Sequence, residues 1–517
     1  MHDVSRLHPH HADEVITISP RRRAIALSVL CLCALTTAID ITITNVALPF
    51  IGRDLDASVA GLQLVIDAYN IVLAGLLVLG GGLADRYGRR KLFLAGYALF
   101  GVSCLLAAFS PSTEALVGAR AIMGIGAAGV IAPALAIVAA MYPPEQRGGA
   151  IGLWAMFGAT GLALGPIVGG FLLDHFWWGS VFLVNVPLVA LGVAVGVVVI
   201  PESRKPSFGR LDLAGALLSV LGLSGLLLGI IEGPQQGWTS PLVILAIVLG
   251  LALTAGFVRR ELTASDPLFD VRILSRPIVA AGSATRFISY VLFTGMLFVV
   301  PQWLQGVQGQ STVNVGLLLL PFAVVFGLAS VSSAATVERI GARATITGGL
   351  LLCALGIGAL AVFPDAAVEA SIVATAVVGL GLAGVIAPPS TVVMNELPPA
   401  KAGDGSSTNM VSRFAGGAVG VAVMGSVLSS VYRDHLKPST RGLSNAQASD
   451  VRGSLQGGLE VAQQLAHGAQ SSFAGSVRDA FNSGARVGYA VVAALTAVAG
   501  AWVWRALRPG GSAPTPS

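Results

Sequence analysis

From residue 24 to residue 505 the chain alternates long apolar runs with short polar breaks. About 20 apolar residues in helical form cross the ~30 Å hydrocarbon core of a bilayer. Runs of that order predict helices at 24–49, 60–83, 92–110, 114–141, 148–173, 180–200 and 211–231, then at 241–258, 278–304, 313–337, 343–363, 367–393, 407–432 and 485–505. The expected fold class is an all-α integral membrane protein with 14 transmembrane helices.

An even number of spans places both termini on one side, and the basic residues say which. Lys and Arg beside short loops stay in the cytoplasm. The N-terminal tail, Asp85–Lys91, Arg147, Arg204 to Arg210, Arg259 to Arg276, Arg339 with Arg343, Lys401, Arg505 and Arg508 share one face, while Arg53 stands alone among the short loops opposite. Both termini are therefore expected in the cytoplasm. The segment 433–484 is expected outside, as a tolerated insertion in preference to an amphipathic or disordered lid.

Composition fits a bilayer as solvent. Of 517 residues, 54% are hydrophobic and 11% charged, against the roughly 25% charged of a soluble domain. The 64 glycines suit close helix packing in lipid. The net charge of +5 lies in short clusters between apolar runs, a topology signal that gives no nucleic-acid face. Cys31, Cys33, Cys104 and Cys353 fall inside apolar runs and are read as packing residues, and His8, His10 and His11 as part of a solvated tail. No metal set is expected.

An internal repeat divides the chain. Asp85-Arg86-Tyr87-Gly88-Arg89-Arg90 follows the second span, and Glu338-Arg339-Ile340-Gly341-Ala342-Arg343 follows the tenth. Acid, Arg, Gly and final Arg recur at matching places in the topology. The expected plan is a tail at 1–23, a six-helix bundle at 24–204, a two-helix insertion at 205–276, a second six-helix bundle at 277–505 and a tail at 506–517.

Ionisable side chains inside spans are costly and are functional candidates. Here they are Asp40, Asp67, Arg120, Arg286 and Arg413. Asp40 shares a helical face with Thr36 and Thr44, and Asp67 a stripe with Gln63 and Asn70. A carboxylate in low dielectric holds its proton more readily, so Asp40 first and Asp67 second are candidate proton carriers, with Arg120 tuning a nearby acid. The bland alternative is a static Asp–Arg pair that holds helices together. The stretch Gly81–Lys91, with Gly82, Asp85, Arg86, Gly88, Arg89 and Arg90, is a candidate conformational switch, matched by Glu338 and Arg339. In the fifth span Gly158, Gly161, Gly165 and Gly169 line one face, and Pro166 with Gly170 adds a bend.

Together these motifs resemble the fourteen-span drug/proton antiporter family of the major facilitator superfamily. Asp40-Ile41-Thr42-Ile43-Thr44-Asn45 through Pro49 is similar to its first-span signature, Gly81–Lys91 to its switch motif, Arg120 with Gly124 and Gly126 to its fourth-span motif, and Gly161–Gly170 to its antiport motif. Phe182–Pro187, Asp212 with Gly215, Glu232-Gly233 with Trp238, Pro267-Leu268-Phe269 and Asn409–Arg413 extend the match along the chain. Met123 and Phe414 depart from it, each standing where Gln is common.

The resemblance implies a major facilitator fold, with two six-helix bundles plus two inserted helices, in the plasma membrane. It implies export of small organic molecules, lipophilic or cationic, in exchange for protons by a monomer without a cofactor. Asn45, Asn70 and Arg413 join Asp40, Asp67 and Arg120 as implied coupling or substrate residues. A dedicated exporter of one metabolite, natural product or lipid is the alternative, and a proton-coupled importer a weaker one. A membrane enzyme or sensor is disfavoured, and the sequence contains no Gly-x-x-x-x-Gly-Lys-Ser/Thr loop for a nucleotide.

Overall fold

The computed structural model describes residues 18–203, 212–264, 271–362, 368–386, 388–396, 402–440, 443–465 and 467–507. Among them α-helix is the regular structure throughout, apart from one 3₁₀ turn at Val271–Ser275, and no strand occurs. The helices are α1 Pro20–Asp54, α2 Val59–Tyr87, α3 Arg89–Ala108, α4 Thr113–Met141, α5 Pro144–His175, α6 Ser180–Leu183, α7 Asn185–Val199, α8 Leu213–Gln236 and α9 Pro241–Thr263. They continue as α10 Pro277–Gly306, α11 Thr312–Val362, α12 Val368–Ile386, α13 Pro388–Glu396, α14 Ala402–Leu436, α15 Asn445–Gly453, α16 Leu455–Gln464 and α17 His467–Ala506. Thirteen stretches among the described residues are long and apolar enough to cross a membrane. The helix Pro144–His175 adds a further 32 residues.

Local chemistry sets the ends of these helices. Proline opens α1, α9 and α10 at a position where its missing N–H costs nothing. Ser19, Ser58 and Ser112 each accept a hydrogen bond from a first-turn amide of α1, α2 and α4. Asp212 does the same for α8 through Gly215 N at 2.8 Å, and it also receives Arg260 Nε at 2.7 Å. That hydrogen bond with Arg260, opposed by partial burial, holds the Asp212 carboxyl below its ordinary range. Arg22 donates to the Val198 and Val199 carbonyls at 3.1 and 3.0 Å, so a basic residue expected to mark topology also caps the end of α7.

The expected repeat has a structural counterpart. Gly88 (φ +115°) separates α2 from α3, and Gly341 (φ +82°) is the non-helical residue inside α11, so that both junctions turn on a glycine in a region other residues rarely enter. Packing repeats as well: α1 lies on α5 as α10 lies on α14, and α3 on α7 as α11 on α17. Leucine, isoleucine and valine on α9 point outward, among them Leu242, Leu245, Val248 and Leu251. In water such a face would be a liability; in a bilayer it is the solvated surface.

The expected run 180–200 is one span, Ser180–Val199, with a single-residue turn at Val184 between α6 and α7, and α12 and α13 lie along the expected run 367–393. One expectation needs correction, at 433–484. Instead of a loop and a last helix confined to 485–505, α14 runs on to Leu436, α15 and α16 follow, and α17 begins at His467. Ser444 and Gln447 form a capping box on α15, and Ser454 caps α16. Tyr432 Oη donates to the Val451 and Ser454 carbonyls at 2.9 and 3.0 Å, Trp303 Nε1 donates to Asn482 Oδ1 at 3.0 Å, and Leu455 is buried beside Gly306. The segment is a docked helical cap. Its polar composition suggested a loop because its apolar residues are few, but Val451, Leu455, Val461 and Ala462 all face inward.

Candidate functional site

The ionisable residues of the spans lie inside α1, α2, α4, α10 and α14. Asp40 on α1 and Arg120 on α4 form an ion pair, Arg120 Nη1 to Asp40 Oδ2 at 2.6 Å, with side chains 0% and 1% exposed. Arg120 also donates from Nε to the Val65 carbonyl at 3.0 Å and lies 4.6 Å from the Tyr69 ring centroid. Met123 stands 3.7 Å from Arg120 Nη1 through its sulfur, so the departure from Gln leaves a soft, weak acceptor in a polar neighbourhood. Asp40 Oδ1 has no partner.

Asp67 is placed differently. It is fully buried, and neither carboxylate oxygen has a hydrogen-bond partner. Its stripe-mates point to α14: Gln63 Nε2 donates to the Val421 and Ala422 carbonyls at 3.2 and 3.0 Å, and Asn70 lies beside Gly417. The Gln63–Asp67–Asn70 stripe is therefore part of the seam between the two sets of helices. Asn45 donates to the Ile41 carbonyl at 2.7 Å with its Oδ1 unpartnered, and Asn70 donates to the Ile66 carbonyl at 3.2 Å. Thr44 donates to the Asp40 carbonyl, and Thr36 is hydrogen-bonded to Tyr97 Oη at 3.0 Å.

On α10 and α14, Arg286 and Arg413 flank one ring. Their guanidinium carbons lie 5.3 and 5.1 Å from the Tyr290 centroid, and Arg413 is also 5.0 Å from the ring of Phe414. Arg286 donates to the Ile386 carbonyl. Tyr69, Tyr290 and the seam role of Gln63 were missed from sequence, because no charge and no spacing marks an aromatic ring that neighbours an arginine only in three dimensions.

The glycine stripe of α5 faces α1. A Cβ on Gly161 would come 2.5 Å from the Leu35 carbonyl and one on Gly169 2.8 Å from Ile43, while Gly165 leaves no room beside Thr42. Gly165, Pro166, Gly169 and Gly170 are buried, and the Pro166 carbonyl lies 2.6 Å from where a Cβ on Gly316 of α11 would stand. This glycine run thus sets two close approaches at once, one within its own set of helices and one across the seam.

At the switch motif, Gly82 and Arg86 lie in the last turns of α2, and Arg86 stacks 5.5 Å from the Tyr87 ring. Arg89 donates to the Ala136 carbonyl at 3.4 Å and Arg90 to the Val197 carbonyl. Glu202, not anticipated, accepts from Arg90 N at 3.2 Å and would meet any Cβ on Gly88 at 2.7 Å. Glu338 and Arg339 are exposed, whereas Arg343 donates to the Trp504 carbonyl at 2.8 Å. In both repeats the final Arg therefore grips the end of the last helix in its set. The side chain of Asp85 and the tail residues His8, His10 and His11 lie outside the described residues.

Among the described residues, several contacts between the two sets lie toward one end of the bundle. Gln305 Nε2 donates to the Val46 carbonyl at 3.1 Å, and with the Gln63–α14 bonds and the Pro166–Gly316 approach it lies toward the end where α1 finishes. At the end where α1 begins, the switch motif bonds within its own set.

A bundle of apolar helices with buried charges and a seam between two sets of helices fits a membrane transporter, and the comparisons with known proteins agree. The chain belongs to the Major Facilitator Superfamily, which its residues 30–421 match. It is 34% identical over 491 residues to the multidrug efflux pump LfrA of Mycolicibacterium smegmatis, covering 94% of this chain and 96% of that one. It is 30% identical over 451 residues to the methyl viologen resistance protein SmvA of Salmonella typhimurium, covering 86% and 90%. The methylenomycin A resistance protein of Streptomyces coelicolor is 32% identical over 397 residues, covering 76% and 83%. Among solved structures, an inward-facing bacterial homologue of the lysosomal transporter Spinster superposes with a TM-score of 0.68 at 17% identity, covering 95% of this chain and 98% of that one, a likeness of fold.

Proposed function

We propose that this protein exports small drug-like organic molecules across the plasma membrane in exchange for protons, by rocking two six-helix bundles about a central site. The relatives, efflux pumps and drug-resistance proteins matched over most of their length, support export. The coupling proposal rests on one observation: two acids, Asp40 and Asp67, are wholly buried in the spans, one paired to Arg120 and one unpaired.

Asp40 is the coupling acid in this scheme. Protonation would release Arg120 from it, and Arg120 already has a second hydrogen bond at Val65 and a ring at Tyr69 to hold it. A proton then trades the buried ion pair for a guanidinium held by one carbonyl and one ring, a costlier arrangement that a change of conformation relieves. Asp67 in the seam is the second proton carrier, reached when α2 parts from α14. With both termini in the cytoplasm, the closed end faces outward and the central site opens to the cytoplasm, where an exporter loads. The proposed unit is a monomer without a cofactor.

The test is pH-gradient-driven efflux of a chemically broad fluorescent panel from everted vesicles, with wild type compared to Asp40→Asn at equal expression. Wild-type transport lost in the variant supports the scheme. Transport that persists without a pH gradient, or that is unaltered in Asp40→Asn, sinks it.

A further inference from the structure

We infer that Arg286 and Arg413 form an anion-holding subsite that takes the carboxylate of an aromatic acid substrate. The inference rests on the transport reading above and narrows its substrate class. Both residues are arginines, held on α10 and α14, with guanidinium carbons within 5.3 Å of the same Tyr290 ring. Arg286 is 7% exposed. Its Nε and that of Arg413 are buried with no hydrogen-bond partner, as is Asn409 Oδ1 one turn before Arg413. Among the described residues no carboxylate forms an ion pair with either arginine.

Two like charges sharing one ring without a counter-charge, Arg286 buried and Arg413 half-buried with its Nε shut off, are costly, and a guanidinium does not give up its proton to escape that cost. The Tyr290 face offsets part of it through cation–π attraction, but a ring satisfies no N–H. Across the seam, Arg120 already holds Asp40, and with Asp67 the spans carry two acids against three arginines, an excess of positive charge. An incoming carboxylate supplies both the missing charge and acceptors for the unpartnered N–H groups.

The body of the ligand follows from the neighbouring rings. Phe293 lies 5.9 Å from Tyr290 edge-on, Phe322 stacks 5.9 Å from Phe293, and Phe326 stacks 6.2 Å from Phe322. This ladder leads away from the arginines over α10 and α11; Tyr290, Phe293 and Phe322 are buried and Phe326 half-buried, so the rings would receive the rest of the molecule where the helices part to admit it. An acid with an aromatic body matches both parts. A purely cationic substrate, one of the classes implied by the family resemblance, matches neither arginine.

Binding of 1-pyrenebutyrate and of its methyl ester to the purified full-length protein in nanodiscs separates charge from shape. Wild type is expected to bind the acid at least about tenfold more tightly than the ester, the size of one charge-assisted hydrogen bond. Arg286→Gln and Arg413→Gln should each erase that preference while leaving ester binding unchanged. Arg286→Lys and Arg413→Lys should keep part of it, and they serve if a Gln variant does not fold. Equal binding of acid and ester by wild type, no binding of the acid, or parallel loss of both ligands in folded variants overturns the subsite. Export is scored separately with the same pair in everted vesicles. Acid binding without export of any probe would sink the exporter proposal and leave the subsite standing; export of both compounds with no acid preference would do the reverse.

Discussion

Arg120 on α4 reaches across the bundle to Asp40 on α1, with Nη1 and Oδ2 2.6 Å apart and both side chains shut off from solvent. Residues 80 positions apart in sequence thus form a pair that either holds two helices together or answers to a proton. The two roles separate on substitution. Removing one partner of a buried pair costs about 3–5 kcal/mol, whereas an apolar replacement of both can be neutral.

Asp40→Asn is therefore expected to lower the melting temperature in detergent and to abolish efflux driven by a pH gradient. Adding Arg120→Met should restore melting. If the pair is only a strut, gradient-driven transport returns with stability; if Asp40 carries the proton, it stays lost.

Asp67→Asn should behave in the opposite way. Its carboxylate has no partner to lose, so a neutral amide of the same shape is expected to leave melting unchanged or raise it by about 1 kcal/mol equivalent. Efflux per proton should fall. A strongly destabilised Asp67→Asn protein would show that the carboxylate has a structural partner and no carrier role.

The two switch glycines should tolerate alanine unequally. At Gly88 the positive φ adds about 1–3 kcal/mol of strain and Glu202 blocks the new methyl, whereas Gly341 has the strain with open space around it. Melting of the Gly88→Ala and Gly341→Ala variants in detergent checks the order, and equal shifts would remove Glu202 from the account.

The closed end can be tested by cross-linking. All four native cysteines are free and buried, so the background should be low. Val46→Cys with Gln305→Cys is expected to cross-link with a short bifunctional thiol reagent in the resting protein. Turnover of an exported substrate should reduce the yield. A yield that rises during turnover would mean that the resting protein is closed at the other end.

The helical cap depends on one phenol. Tyr432→Phe removes the donor that serves both the Val451 and Ser454 carbonyls, at a cost of about 1–3 kcal/mol. Limited proteolysis should then cut between 437 and 466 faster than in wild type, and an unchanged rate would mean that apolar packing of Leu455 and Val461 suffices.

Much of this protein was legible before any coordinates. A bilayer leaves the backbone almost no choice but helix, so run length and polarity alone locate the helices. A charge in a span is too costly to be incidental, which singles out Asp40, Asp67, Arg120, Arg286 and Arg413. Gly88 and Gly341 announced themselves because few other residues could take their backbone angles. The cap at 433–484 was misjudged for the complementary reason: outside the bilayer helix is not compulsory, and its order comes from contacts that Tyr432, Trp303 and Gly306 make with distant segments.

Partner choice among the charges belonged to the tertiary structure. Sequence marks Asp40 and Asp67 as similar acids, yet one meets an arginine and the other lies unpaired in a seam, because pairing depends on which helices cross and at what height. Two arginines 127 residues apart in the chain share Tyr290 for the same reason. Composition and periodicity determine that the chain spans a membrane and which residues cannot be there by accident. The packing of α1 on α5, α2 on α14 and α10 on α14 decides what those residues face, and so what they can bind.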